Sequence, residues 1–229
     1  MEQLDVFIKG ELIDLCIPTV EYARVSSWYS MFNNPKINRF LEQGAFPTTA
    51  DDEVAFFQAE RSKRLILIVV DKEGNDLGVI SFSFINYQKR RADIAMVLNE
   101  KPREPLAGLE AMARMVEHGF TLMGLERISA GQHKQLYKWQ NLCELIGFKV
   151  EGILENNFVK GSERVNSIQL GVTIEDYKQI IANRHGLLWD SNENMIDRIT
   201  RLPRPQFVKE LSIFFDTVRK DYYNNIFSL

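Results

Sequence analysis

Residues 91–148, RADIAMVLNEKPREPLAGLEAMARMVEHGFTLMGLERISAGQHKQLYKWQNLCELIGF, read as strand, loop, helix, strand, helix. Over the first eight residues Ile94, Met96 and Leu98 share one face, the period of a pleated strand. Pro102 and Pro105 mark a turn-prone segment. From Leu106 the apolar spacing lengthens: Leu109, Met112, Ala113, Val116, Phe120 and Met123 form one helical stripe, which Gly124 stops. Residues 127–132 form a second short strand. Leu136, Trp139, Leu142, Cys143 and Ile146 then give a second amphipathic helix closed by Gly147. The loop between the first strand and the first helix is a natural anion site. Backbone N–H groups in a first helical turn lack partners, and the helix dipole adds positive character there.

Composition bounds what such a unit serves. With 229 residues, 45% hydrophobic and 26% charged, the chain supports one packed core with length to spare. A net charge of -3 provides no global field toward nucleic acid or an anionic membrane. Lys89-Arg90-Arg91 is a basic cluster that reads as a solvated hairpin tip. Cys16 and Cys143 fall on apolar faces and read as reduced, buried residues, which argues against a disulfide or a metal. No basic leader and no apolar run of membrane-spanning length is present, so a cytoplasmic protein is expected.

Around the central stretch, residues 6–17 carry a strand pattern ended by Pro18. Thr19 caps a helix from Val20 to about Phe32, rich in aromatics. Asn33-Asn34-Pro35 breaks it before a short continuation at 37–41. Thr48 or Thr49 caps another helix running to Arg61. Residues 64–71, RLILIVVD, are a continuous apolar run and so a strand buried on both faces. A turn at 72–76 leads into a strand at 77–87 and a hairpin through 88–90. Residues 149–173 read as a hairpin turning at Lys160-Gly161-Ser162-Glu163. Beyond 183, a short helix at 190–200 and a stiff Leu202-Pro203-Arg204-Pro205 break precede an amphipathic helix from Gln206 to about Asn225. That helix suits packing onto its own core or a sister subunit.

Several motifs in this order resemble the GNAT N-acyltransferases. The pattern Arg/Gln-x-x-Gly-x-Gly/Ala at the start of their acyl-CoA-binding helix maps to Arg103-Glu104-Pro105-Leu106-Ala107-Gly108, with Leu106 in place of the first glycine. The segment WYSMFNNPKINRFL (28–41) resembles "W…NDPEVTRYL" of the ribosomal-protein alanine acetyltransferase branch. Glu151-Gly152-Ile153-Leu154 … Gly161 … Ile174-Glu175-Asp176-Tyr177 resembles that branch's ending. The resemblance spans about Leu12 to Ile181. It implies an α+β fold with a central mixed sheet flanked by helices over residues 1–183, and a helical extension over 184–229.

The resemblance also implies chemistry. Two parallel strands part in this family, and the pantetheine arm of an acyl-CoA co-substrate lies in the gap, paired to open backbone groups. Met96, Val97 and Leu98 would supply those groups, and Arg103, Leu106, Ala107, Gly108 and Leu109 would hold the phosphates. Where the family places an asparagine and a small residue after the second strand, this chain has Leu136 and Trp139, so either CoA lies differently or Trp139 is core and Tyr137 or Lys138 takes the ligand-facing role. Cys143 stands where many members carry an acid tyrosine. Acyl transfer needs a neutral amine, an oxyanion donor and a proton path. Two candidate bases lie on the expected strands, Asp93 and His133; deprotonation through water is the third route.

For the acceptor, Trp28, Asn33, Asn34 and Tyr87 were the candidates. Aromatic rings stack on sugars or bases, amides pair with hydroxyls and imides, and cations neutralise diphosphate. Aromatic packing onto the sheet explains Trp28 equally well. These segments favour a nucleotide-linked (dTDP- or UDP-) deoxyamino sugar, as in bacterial surface polysaccharide synthesis, with no nucleic acid, membrane or metal involved and a homodimer open. Protein or peptide N-acetylation is the alternative reading. A catalytically silent acyl-CoA-binding module is the other.

Overall fold

A computed structural model describes residues 4–99, 104–203 and 206–228, with backbone only at 206–208. The chain opens with a short hairpin, β1 (Val6–Lys9) and β2 (Ile13–Cys16), where one strand was expected, because the chain reverses over residues 10–12. Three short helices follow, α1 (Val20–Val25), α2 (Trp28–Asn33) and α3 (Pro35–Asn38), then α4 (Ala50–Glu60). The single aromatic helix expected over 20–32 is broken at Ser26-Ser27, where the Ser26 hydroxyl accepts the Trp28 N–H at 3.3 Å. Thr49 caps α4 in a reciprocal box with Asp52.

The sheet continues with β3 (Leu65–Asp71), β4 (Asp76–Asn86) and β5 (Arg91–Leu98). Next come α5 (Ala107–Thr121), β6 (Arg127–His133), α6 (Tyr137–Cys143), β7 (Lys149–Lys160), β8 (Glu163–Thr173) and α7 (Ile174–Ala182). The extension holds α8 (Asn192–Arg201), α9 (Gln206–Asp216) and α10 (Val218–Phe227). One helix was expected over 206–225, but the backbone turns at Thr217 (φ -119, ψ -80) and makes two.

Eight strands form one mixed sheet in the order β1-β2-β3-β4-β5-β6-β8-β7, in which β5 and β6 alone run parallel. The fold class is the one expected. β3 is buried on both faces: Leu67 and Val69 join the main core with α5, while Ile66 and Ile68 join a second core with Tyr22, Trp28, Met31 and Phe57. Among the described residues no helix is long and apolar enough to cross a membrane.

A buried carboxylate ties the layers together. Glu110, on α5, accepts from the N–H groups of Glu11 (2.6 Å), Leu12 (2.7 Å) and Ile13 (3.3 Å), and pairs with Arg114 at 3.0 Å. The β1–β2 turn is thus clamped onto the helix that borders the functional cavity. In the extension, Leu188, Trp189 and Met195 enter the main core, and Trp189 Nε1 donates to Glu11 at 2.9 Å.

Candidate functional site

The parallel pair β5/β6 is joined only at Arg91–Arg127, Ala92–Ile128 and Asp93–Ser129. Beyond these positions β5 stays paired with β4 out to Leu98, while β6 stays paired with β8 out to His133. The two strands have parted, so alternate residues of 94–98 turn N–H and C=O groups to an open edge. A cavity of about 650 Å³ fills the gap. Its floor is Ile94–Leu98 and Ala130–His133, its back is Met112, Cys143 and Phe148, and its roof is Phe32, Lys36, Ile37, Phe40, Leu41 and Gln43. A second space of about 300 Å³ adjoins it past His133, with Glu42, Asn157, Phe158 and Ser167 in its wall.

Met96, Val97 and Leu98 lie along the open edge and line the cavity. Leu106, Ala107, Gly108 and Leu109 form the buried start of α5, which no side chain caps. They do not line the cavity; they lie directly behind it. A Cβ on Gly108 would stand 2.7 Å from Leu98 Cδ1 and 3.2 Å from Met96 Cε, so the start of α5 packs directly on the side-chain ends of β5, which would have to shift to admit a larger residue. Arg103 lies outside the described residues. Trp139 and Leu136 both line the cavity, whereas Tyr137 is not in its lining and packs against the main core, with Lys209 Nζ of α9 5.8 Å from its ring. The ligand-facing role expected of Tyr137 is corrected accordingly. Cys143 is buried at the back wall, and burial pushes its thiol pKa up.

The two candidate bases occupy different places. His133 is a buried wall residue, 3% exposed, its ring 4.9 Å from Phe40 and edge-on to Phe158 at 4.7 Å. Nδ1 accepts the Gln135 N–H at 3.2 Å, so the neutral ring carries its proton on Nε2, which faces Glu163 Oε1 at 3.6 Å. Burial lowers the His133 pKa, against an opposing pull from Glu163. Nδ1 alone is engaged; with the proton on Nε2, which has no hydrogen-bond partner among the described residues, the neutral ring offers no free lone pair. Asp93 is exposed where the strands part, its side chain on the sheet face opposite Ile94, and lies outside the cavity lining. Desolvation raises its pKa while Arg91 and Arg127 hold it down.

The residues expected to bind the acceptor are corrected more broadly. Trp28 is 1% exposed, packed on Phe57 in the second core. Tyr87 lies at the other end of the sheet, in a separate depression with Arg61, Arg64 and His118. Asn33 brackets the loop before α4, donating to the Thr48 carbonyl (2.6 Å) and accepting the Thr48 N–H (2.8 Å). Asn34 caps α3 by accepting the Lys36 N–H at 3.0 Å. The roof instead presents Phe32, Lys36, Phe40 and Gln43, which the sequence pattern placed in the right segment without marking their direction.

A mixed sheet whose single parallel pair splays over a cavity beside a helix N-terminus defines an acyl-CoA-type transferase architecture. A family model described as "Acetyltransferase (GNAT) domain" matches residues 14–149, and the chain belongs to this family. Spermidine N(1)-acetyltransferase of Escherichia coli (strain K12) is 24% identical over 154 residues, covering 65% of this chain and 80% of that one. The structure is similar to spermidine N-acetyltransferase from Vibrio cholerae in complex with CoA and spermine (TM-score 0.67, 18% identity, 73% and 98% of the two chains). It is similar also to the Microcin C7 self immunity acetyltransferase MccE in complex with acetyl-CoA and AMP (TM-score 0.62, 22% identity, 72% and 94%). A third similar structure is Mycobacterium smegmatis RimJ in complex with CoA-disulfide (TM-score 0.64, 15% identity, 75% and 88%). The chain is an N-acyltransferase of GNAT type.

Proposed function

We propose that the protein transfers an acyl group from acyl-CoA to the primary amine of a nucleotide-linked deoxyamino sugar. The observation that carries the acceptor class is the lining of the main cavity. Among the described residues it holds one cation, Lys36, on the roof, with Gln43 and Gln132 as amide partners, and no carboxylate. A polycationic acceptor needs carboxylates there; an acceptor bearing phosphates needs a cation and hydrogen-bonding amides. The solved relative that holds AMP beside acetyl-CoA agrees with room for a nucleotide in this architecture. A second reading, transfer to a polyamine, is favoured by the spermidine-acetylating relatives and by Glu42 in the adjoining space.

The residues fit an acyl-CoA. The open edge of Met96–Leu98 offers backbone pairing to an extended pantetheine amide chain, and Ile94, Met112, Leu136 and Trp139 exclude water around it. When bound, the thioester supplies the electrophilic carbonyl. An N–H of the 96–98 edge then stabilises the oxyanion as it forms. The roof residues hold the amine against the carbonyl, converting encounter into an intramolecular event. With His133 Nδ1 occupied and Asp93 outside the cavity, the amine proton leaves through water; collapse of the oxyanion breaks the C–S bond, and CoA departs as a thiolate that takes a proton from solvent.

A free-thiol release assay tests this, with acetyl-CoA and longer acyl-CoAs offered to dTDP- and UDP-linked amino sugars, spermidine and N-terminal peptides in parallel. Release that depends on the sugars is the expected result. Release with spermidine alone transfers the acceptor assignment to polyamines, and release with peptides alone to protein tails. Binding of CoA with no release on any amine leaves a silent acyl-CoA module.

A further inference from the structure

Lys160 ends β7 at the tip of the last hairpin, far in sequence from the cavity roof. Its ammonium lies 2.6 Å from the Asn38 carbonyl, 3.0 Å from Asn38 Oδ1, 2.8 Å from the Gln43 carbonyl and 3.2 Å from the Leu41 carbonyl. Three N–H donors are thus shared over four neutral oxygens, all from residues 38–43. Phe40, Leu41 and Gln43 of this stretch line both the main cavity and the space beside it.

The stretch has little regular structure of its own to hold it. No helix or strand runs between α3 and α4. The Leu41 N–H reaches the Asn38 carbonyl at 2.9 Å, and Asn38 Nδ2 donates to the Phe32 carbonyl at 2.6 Å. Gly44 follows at φ +98, packed so closely on the Asn38 amide that any Cβ would collide with it. Arg39 Nη2 reaches Gln135 Oε1 at 3.2 Å and the Phe40 ring lies on His133, but these hold side chains, whereas the Lys160 ammonium fastens several backbone carbonyls at once.

We propose that Lys160 is the positioning residue for the acceptor half of the reaction. It pins residues 38–43 over the cavity, so that Phe40 meets His133 and the acceptor wall exists before the acceptor arrives. Because no carboxylate shares the cage, loss of the side chain leaves a ring of carbonyl oxygens that a small protonated amine re-occupies. The kinetic part of the idea rests on the acyltransferase reading above; the pinning itself belongs to the free protein.

Lys160→Met and Lys160→Ala test it. Backbone amides of 39–44 are expected to exchange about tenfold faster in Lys160→Met, with sheet amides unchanged. The KM for the acceptor rises about tenfold, while kcat and the KM for acetyl-CoA move by no more than about twofold. In Lys160→Ala, methylammonium restores both the exchange protection and the acceptor KM, and tetramethylammonium, which has no N–H, does not. Unchanged exchange at 39–44, or equal rises in both KM values, overturns the proposal. Reductive methylation of the unmodified protein decides the matter if neither variant folds. Lys160 should react about tenfold more slowly than exposed Lys89, and equal reactivity refutes the cage. If no amine is acylated at all, the acyltransferase reading falls, while the exchange and methylation results still judge the pin.

Discussion

Glu53, on α4, is 3% exposed with Oε1 unpartnered, and burial alone raises its carboxyl pKa to about 7. No charged neighbour contributes to the shift; desolvation is its one cause. A raised carboxyl pKa means the folded state keeps a proton that the unfolded chain releases. Stability is therefore full below the ordinary glutamate range, falls as pH rises toward 7, and levels off above it. Glu53→Gln should raise stability at pH 8 by about 2 kcal/mol and leave it nearly unchanged at pH 4, read from denaturant midpoints. At the reaction site, His133→Asn keeps a side chain that can accept the Gln135 N–H. It should hold kcat within about threefold, with an unchanged pH profile, if the amine proton leaves by water. A lost acidic limb, the fall in rate as a protonated base drops out at low pH, would return His133 to the role of base. These positions mark where sequence reading stops. An aromatic at helical spacing, such as Trp28, looks the same whether its helix turns it to the core or to a cavity, and Lys36 differs from a solvated lysine only once the roof is built.

Elements were more legible than side-chain directions, because hydrophobic period is a local property. The strand–helix–strand stretch at 91–133, the doubly apolar β3 and the closing hairpin emerged where periodicity put them. The breaks at Ser26-Ser27 and Thr217 did not, since one apolar stripe runs on through both; at the first, the Ser26 hydroxyl takes the Trp28 N–H, a local effect that hydrophobic period does not register. Nor did periodicity mark Glu110, which sits at 0% exposure on a helix otherwise buried by apolar residues. Its reason is the β1–β2 turn: three backbone N–H groups converge on one carboxylate, with Arg114 balancing the charge. Removing it orphans those donors and leaves Arg114 without its buried partner. Glu110→Ala should cost about 3 kcal/mol, which for a chain of this size lowers Tm by about 10 °C in a circular-dichroism melt. A loss under about 1 kcal/mol would mean water satisfies the turn as well as the carboxylate does.

At the scale of the molecule, the matched family segment ends at residue 149, but the architecture does not. β8 supplies the whole far side of β6, seven paired positions from Arg127 to His133, and without it the splayed strand would have no support. The extension then divides in two. Its first part is core: Leu188 and Met195 are fully buried, Trp189 is 1% exposed, and Glu11 accepts from both Trp189 Nε1 and the Asn192 N–H. Among the described residues its second part, α9 and α10, meets the domain through contacts such as Asn166 Nδ2 to Asp216 at 3.3 Å and Lys209 over the Tyr137 ring. Ile213, Phe214, Val218, Tyr222 and Phe227 remain exposed. The main core therefore takes in side chains as far along the chain as α8. A chain ending at residue 203 should melt within about 3 °C of the full protein and keep its acyl-CoA turnover, since it gives up little buried apolar surface. A chain ending at residue 183 loses three buried side chains worth about 2 kcal/mol each and uncovers the main core beside Glu11, so its Tm should fall by about 15 °C. Equal melting of the two truncated chains would show that Trp189 and its neighbours lie on the core without supporting it. An inactive 203-residue chain with a normal melt would instead make α9, which borders α6 and β8, part of the catalytic surface.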